Sequence, residues 1–384
     1  MRRFAAGLVI AAVSSIGSLA FAAEGDAPTV KGTVEVYGRA QVSYDMIDTG
    51  AKSPADEALQ KISTNGSRLG FKGSEDLGDG LSAVFQMELQ INVDGTQTKV
   101  VSSGTGTNPP VYTTTDIDKI TYRNTFAGLR HQAIGTLLLG IHDTPYKMST
   151  LRLDVFGDTM GDYNAVIGNV NGTSNFDVRA KDTVVYLSPS WAGISIGLSR
   201  STTGSETNTT SAGNASLTSA SVTYDAKPLF ITAAYEVHRN GYFTNWDSNA
   251  YQNTGTKFGA GAAFGNTKIN AVYEMISDDK PNSEKTRSAL WIGASQTFGK
   301  ETIKIAYAMA DDGDNPATKT GATMMAVGLD HAFSKRTTVY ALYAATKNEA
   351  DATYGFGQGG PGGSFVPNKG EDPSVVSFGM SYLF

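Results

Sequence analysis

Alternation of apolar and polar residues at every second position, repeated along the whole chain, is the feature that most restricts the fold. Leu81, Ala83, Phe85, Met87, Leu89, Ile91 and Val93 take one parity, and Ser82, Gln86, Glu88, Gln90 and Asn92 take the other. Successive side chains of a strand point to opposite faces, so one face of this segment suits hydrocarbon and the other water. A single strand of this kind fits a soluble antiparallel sheet equally well. Here the pattern recurs. Ile194, Ile196 and Leu198 alternate with Ser195, Gly197 and Ser199, and Ile303, Ile305, Tyr307 and Met309 alternate with Lys304 and the small Ala306 and Ala308.

Followed along the chain, the alternation predicts about sixteen strands. They fall near 33–48, 61–75, 81–93, 119–131, 136–142, 179–187, 192–201, 216–226, 229–238, 255–264, 267–277, 287–298, 301–311, 322–333, 336–348 and 373–384. An even number of antiparallel strands is what a closed outer-membrane barrel requires. The connections alternate as well. Tight turns such as Asp225 to Lys227, Gly265 to Asn266 and Ser334 to Lys335 trade places with long polar stretches such as Asp94 to Asp118 and Asp143 to Val178. Stretches 202–215 and 349–372 are rich in Ser, Thr, Gly and Asn, the composition of loops. No interdomain linker interrupts the series.

The amino terminus fits the same destination. Arg2 and Arg3 precede an apolar run from Phe4 to Val13, and Ala20, Phe21 and Ala22 form a small-residue cleavage box. This reads as a signal peptide over 1–22, followed by a single β-barrel domain over 23–384. No later apolar run approaches the eighteen residues of a membrane helix. The absence of cysteine rules out a disulfide framework. Without Arg2 and Arg3 the 31 basic residues become 29 against 37 acidic ones, a net charge of −8 that argues against a nucleic-acid partner. Four histidines and no cysteine leave few ligands for a transition metal, and no metal or cofactor is expected. In the last strand Val376, Phe378, Met380, Tyr382 and Phe384 share a face, as interfacial aromatic girdles predict, and Tyr37, Tyr122, Tyr186, Tyr235 and Tyr273 are assigned the same outward parity.

Several stretches resemble the trimeric general diffusion porins of Gram-negative outer membranes. They are Val36-Tyr37-Gly38-Arg39, the run from Ser67-Arg68-Leu69-Gly70-Phe71-Lys72 to Leu77-Gly78, Tyr122-Arg123-Asn124-Thr125-Phe126-Ala127-Gly128-Leu129, and the terminal Tyr382-Leu383-Phe384. The resemblance implies a sixteen-stranded antiparallel transmembrane barrel and a homotrimer in outer-membrane lipid. It also implies passive passage of small hydrophilic solutes and ions, with a third loop folded into the pore. The corresponding loop starts after Ile141 and carries Asp154, Asp158 and Asp162 as candidate acids, although the family's Pro-Glu-Phe-Gly-Gly-Asp run is not intact. Parity supplies the facing wall. With Leu69 and Phe71 toward lipid, Arg68 and Lys72 point inward. Val36 outward places Arg39 on the polar face, Tyr122 and Phe126 outward place Arg123 inward, and Val184 and Tyr186 outward place Arg179 and Lys181 inward. Lipid-facing placement of Arg or Lys costs about 2–4 kcal/mol at the bilayer midplane.

Other chemistry has weaker support. His131, His142, His238 and His331 accompany no serine-centred motif, so no enzyme is expected. Asp311-Asp312-Gly313-Asp314-Asn315 lacks calcium-loop spacing. Two rivals to the general porin remain: a substrate-specific porin, and a barrel that serves as an adhesin or structural element. Sixteen strands favour a channel, because a barrel of that size encloses water whereas an eight-stranded one is filled by its own side chains.

Overall fold

The structure is a computed structural model that describes residues 32–51, 58–94, 97–103, 111–117, 120–174, 176–202, 215–239, 242, 252–357 and 364–384. The expected signal peptide lies outside the described residues. One closed antiparallel sheet of sixteen staves carries the fold. They are β1 Gly32–Asp48, β2 Ala58–Thr64 continued by Arg68–Gly78, β3 Leu81–Ile91, β4 Ile120–Tyr122 continued by Thr125–His131, β5 Gly135–Asp143 and β6 Arg179–Leu187. Then come β7 Ile194–Thr202, β8 Ser216–Ala226, β9 Leu229–Arg239, β10 Asn253–Phe264 and β11 Thr267–Asp278. The series ends with β12 Arg287–Phe298, β13 Glu301–Ala310, β14 Ala322–Ala332, β15 Thr337–Asn348 and β16 Ser374–Leu383.

Closure depends on β1, which pairs with β2 on one side and with β16 on the other. The terminal residue completes the seam: Gly38 N–H donates to the Phe384 carbonyl at 3.0 Å, and Phe384 N–H donates to the Gly38 carbonyl at 3.1 Å. A Cβ at position 38 would lie 2.1 Å from the Phe384 ring. Glycine there lets the terminal aromatic lie across β1. With no open edge, every stave satisfies its backbone groups within the sheet, which a bilayer demands.

Outward positions are apolar and exposed, among them Val34, Met87, Leu139, Ile231, Ile305 and Val327. Tyr44, Tyr235, Tyr273, Tyr307 and Tyr343 ring the barrel toward the rim of long connections, and Trp191, Phe264, Phe298, Phe333 and Phe384 ring the rim of short turns. Two aromatic belts flanking an apolar band are the signature of a transmembrane barrel.

Two side chains turn the opposite way from the parity assigned to them in the sequence. Tyr37 shares the inner face of β1 with Glu35 and Arg39, because its neighbour Val36 faces out. Phe126 also points inward. The interruption of β4 at Arg123 and Asn124 causes this: Tyr122 pairs with Leu89 but Phe126 pairs with Gln86, so β4 carries one residue more than β3 over the same span. The connection expected over Asp94 to Asp118 contains a hairpin, Gln97–Ser103 with Val111–Ile117, and Phe365–Val366 pairs parallel to its first strand.

Candidate functional site

The segment 144–178, between β5 and β6, is built by local polar contacts. The Thr144 side chain accepts Lys147 N–H, and Pro145 opens the short helix α1, Pro145–Thr150, followed by a 3-10 turn at Leu151–Leu153. A capping threonine followed by proline is a strong helix start. Beyond it the three candidate aspartates divide their work. Asp154 accepts the N–H groups of Phe156 at 2.8 Å and Tyr163 at 3.0 Å. Asp162 accepts those of Asp158 at 2.9 Å and Asn164 at 2.8 Å. Both carboxylates therefore fold the segment onto itself. Burial pushes the Asp154 carboxyl up to about 6 against these hydrogen bonds. Burial also raises Asp162, and the neighbouring Asp154 charge raises it further. Asp158 sits in left-handed backbone at φ 56°, a conformation aspartate tolerates, and its side chain leaves the segment altogether.

That side chain meets β1 and β2. Asp158 Oδ2 lies 2.7 Å from Arg39 Nη1 and 3.7 Å from Arg68 Nη2, and Gln41 Nε2 donates to the Asp158 carbonyl at 2.5 Å. Arg39 and Arg68 are direct cross-strand partners. Like charges so placed repel, and the carboxylate between them offsets the repulsion.

The remaining basic candidates find partners on the wall itself. Lys72 Nζ is 3.4 Å from Glu35 and 4.9 Å from the centre of the Tyr37 ring. Tyr37 donates to Glu88 at 2.9 Å, and Arg123 Nε lies 2.6 Å from the other Glu88 oxygen. Gly70 makes this possible, since a Cβ there would stand 2.3 Å from the Tyr37 ring. Arg179 Nη2 is 3.1 Å from Asp143, and its Nε donates to Asn124 at 2.8 Å. Lys181 is exposed in a bulge between Ala180 and Thr183, where the register shifts and parity counted back from Val184 breaks down. The wall carboxylates Glu35, Glu88 and Asp143 were not singled out in the sequence, although Glu35 shares the parity of Arg39 and Glu88 the polar face of β3.

Against β9–β15 the same segment makes a different contact. Lys257 pairs with Asp177 and stands 4.1 Å from the centre of the Tyr146 ring. Tyr146 donates to Glu274 at 2.8 Å, Gly168 N–H donates to the other Glu274 oxygen at 2.8 Å, and Arg287 binds that oxygen at 3.0 Å and donates to the carbonyls of Val166 and Asn169. Lys257, Glu274 and Arg287 are buried. Around them Phe156, Met160 and Tyr163 pack in one apolar cluster with Trp291 and with the inward-facing Ala289, Ala308, Ala322, Ala326 and Ala344. None of these anchors was a sequence candidate. Asp177 and Lys257 are 80 residues apart, and only the closed barrel brings them together.

Comparison with known proteins agrees with this architecture. The family model described as Gram-negative porin matches residues 6–351. Outer membrane porin protein 32 of Delftia acidovorans is 24% identical over 380 residues, 96% of this chain and 99% of its own. A monosaccharide porin of Halomonas is 23% identical over 359 residues, 91% of this chain and 92% of its own. Among solved structures, the anion-selective porin from Comamonas acidovorans superposes with a TM-score of 0.73 at 22% identity, covering 92% of this chain and 100% of that one. Sixteen closed staves, paired aromatic belts and a family match over most of the sequence lead to one conclusion: this chain belongs to the family of Gram-negative outer-membrane porins.

Proposed function

We propose that segment 144–178 crosses the lumen and narrows it to a charged constriction, with Asp158 as its acidic edge and Arg39, Arg68, Lys72, Arg123 and Arg179 along the facing wall. The observation that carries this reading is the reach of one connection. Starting at β5, it touches β10–β12 through Asp177, Val166 and Asn169, and β1 and β2 through Asp158. Contacts spread so far around a closed ring support a path through its inside.

Small hydrophilic solutes and ions then diffuse passively through a gap that selects by size and charge. At the edge against β1 and β2 two guanidiniums face one carboxylate, which favours anions over cations. Asp154 and Asp162 act here as scaffolding for Asp158. The assembly in outer-membrane lipid is a homotrimer.

Planar-bilayer recording in a potassium chloride gradient tests the reading. Discrete ohmic steps with a reversal potential of anion sign are expected. Absence of steps from folded protein would sink the channel, a cation-sign potential would remove the anion preference, and saturation by one sugar would convert the protein into a specific porin. Crosslinking in native membranes should stop at three copies.

A further inference from the structure

A second site lies on the outside of the barrel. Between β7 and β10 the lipid-facing surface opens into an apolar furrow of about 400 Å³. Cross-strand register defines its shape. Leu198 pairs with Ala220 and Ala220 with Tyr235, while Val222 pairs with Ala233 and Ala233 with Phe258. The two alanines therefore form a diagonal floor, banked by Val222 on one side and Tyr235 on the other. The flanking outward positions Ile196, Leu198, Tyr235 and Phe258 carry large exposed side chains, so the furrow is a local loss of bulk between them.

Its upper end is basic. Arg200 shares the outward parity of Ile196 and Leu198 and stands one row nearer the long-connection rim than the Leu198–Ala220–Tyr235 row. Arg239 stands two rows above Tyr235 on β9. Both are exposed. Arg200 Nη1 donates to Thr218 at 2.9 Å and Arg239 Nε donates to Gln252 at 2.9 Å, both neutral acceptors, and among the described residues neither arginine meets a carboxylate. Their strands are two apart, about 10 Å, within the combined reach of two arginine side chains.

Tyr235 marks the aromatic belt, so positions just above it lie at headgroup level. There a lipid-facing cation costs about 0–1 kcal/mol instead of the 2–4 kcal/mol of the midplane. Guanidinium groups at that level match phosphate oxygens in geometry and charge. We infer that β7–β10 hold a phosphate-bearing acyl lipid of the outer leaflet, with its phosphate at Arg200 and Arg239 and one acyl chain in the furrow over Ala220 and Ala233. The rim of long connections faces outward in such barrels, which places the site in the outer leaflet.

Native mass spectrometry of the folded barrel in detergent, with diphosphoryl lipid A as the probe, tests the site. Wild type should retain the probe at least tenfold more strongly than an Arg200→Gln, Arg239→Gln double variant, and Ala233→Leu, which fills the furrow while leaving both arginines, should weaken retention independently. Lys347→Gln, another cation near the same rim, should change nothing. Dephosphorylated lipid A should bind wild type and the double variant alike. Unaltered single-channel conductance certifies that each variant is folded. Equal retention by wild type and the double variant, or an equal loss in Lys347→Gln, overturns the phosphate site. Full retention in Ala233→Leu, or complete release of the probe by inorganic phosphate, overturns the seat for the chain.

Discussion

Segment 144–178 meets two parts of the inner wall by two kinds of chemistry. Toward β9–β15 the contact is dry: Lys257 with Asp177 and Arg287 with Glu274 are shielded from solvent, and Phe156, Met160 and Trp291 pack among inward alanines. Toward β1 and β2 it is wet, a single carboxylate on two guanidiniums that keep roughly a fifth of their side-chain surface exposed, at 20% for Arg39 and 23% for Arg68. Buried ion pairs fix position because unpairing them strands a charge, whereas partly exposed ones contribute less to stability and keep one side toward water. On the function proposed above, the dry contact is the anchor of the segment and the wet one the part that tunes what passes.

The largest expected effect comes from breaking the anchor. Lys257→Met leaves Asp177 buried without its partner and should destabilise the segment by about 3–5 kcal/mol. Single-channel conductance should rise and become noisy as the segment leaves the wall, and protease should cut within 144–178. Adding Asp177→Asn to Lys257→Met should restore much of the lost stability, since it removes the stranded charge while keeping an acceptor for Tyr163 and Asn164 at this left-handed position. A single variant with wild-type conductance and protease resistance would show that the dry contact is not the anchor.

Next in size is the wet contact. Across about 10 Å of water a unit charge changes an ion's energy by roughly 0.4 kcal/mol, a factor of about two. Replacing both Arg39 and Arg68 by Gln should therefore lower anion permeability about fourfold and raise cation permeability by about the same factor, with stability within about 1 kcal/mol of wild type. Asp158→Asn should move each permeability the other way by about twofold. If these substitutions leave reversal potentials unchanged while altering stability, the assignment of tuning and anchoring is inverted.

The two regions also differ in how far they could be read from sequence. All sixteen staves follow from alternation, with ends displaced by a few residues, because a lipid-facing parity and a water-facing parity impose opposite polarity on neighbours. The arginines of the wet contact were legible for the same reason: Arg39 and Arg68 are charges on the polar parity of recognisable strands. Where β4 and β6 bulge, strict alternation fails without any sequence signal strong enough to reveal it, and Phe126 was misplaced accordingly. The dry contact was not legible at all. Lys257, Glu274 and Arg287 have the parity of ordinary lumen residues, and nothing local distinguishes a cation bathed in water from one that meets Asp177 across the barrel. The division among Asp154, Asp158 and Asp162 was equally hidden, because it depends on which backbone N–H groups the loop turns toward each carboxylate.

That division leads to the smallest and most specific effect. Asp154 titrates near 6 rather than 3.8 because burial disfavours its charge. Its folded value is raised, so its contribution to the stability of the segment is fully present below the ordinary carboxylate range and is lost as pH rises through about 6. Asp162 is displaced in the same direction, so the two titrate as a pair. Acidification from pH 7 to pH 4 should therefore tighten the segment, lowering its protease sensitivity, while removal of negative charge shifts permeability toward anions by up to about twofold per proton. Reversal potentials across that range should have a midpoint near 6, protease sensitivity should rise between about 3.8 and about 6, and Asp154→Asn should remove both changes. A midpoint near 4, or an Asp154→Asn variant that keeps the wild-type step, would mean that the carboxylate faces water like Asp158, and that the wet region extends further around the segment than its hydrogen bonds imply.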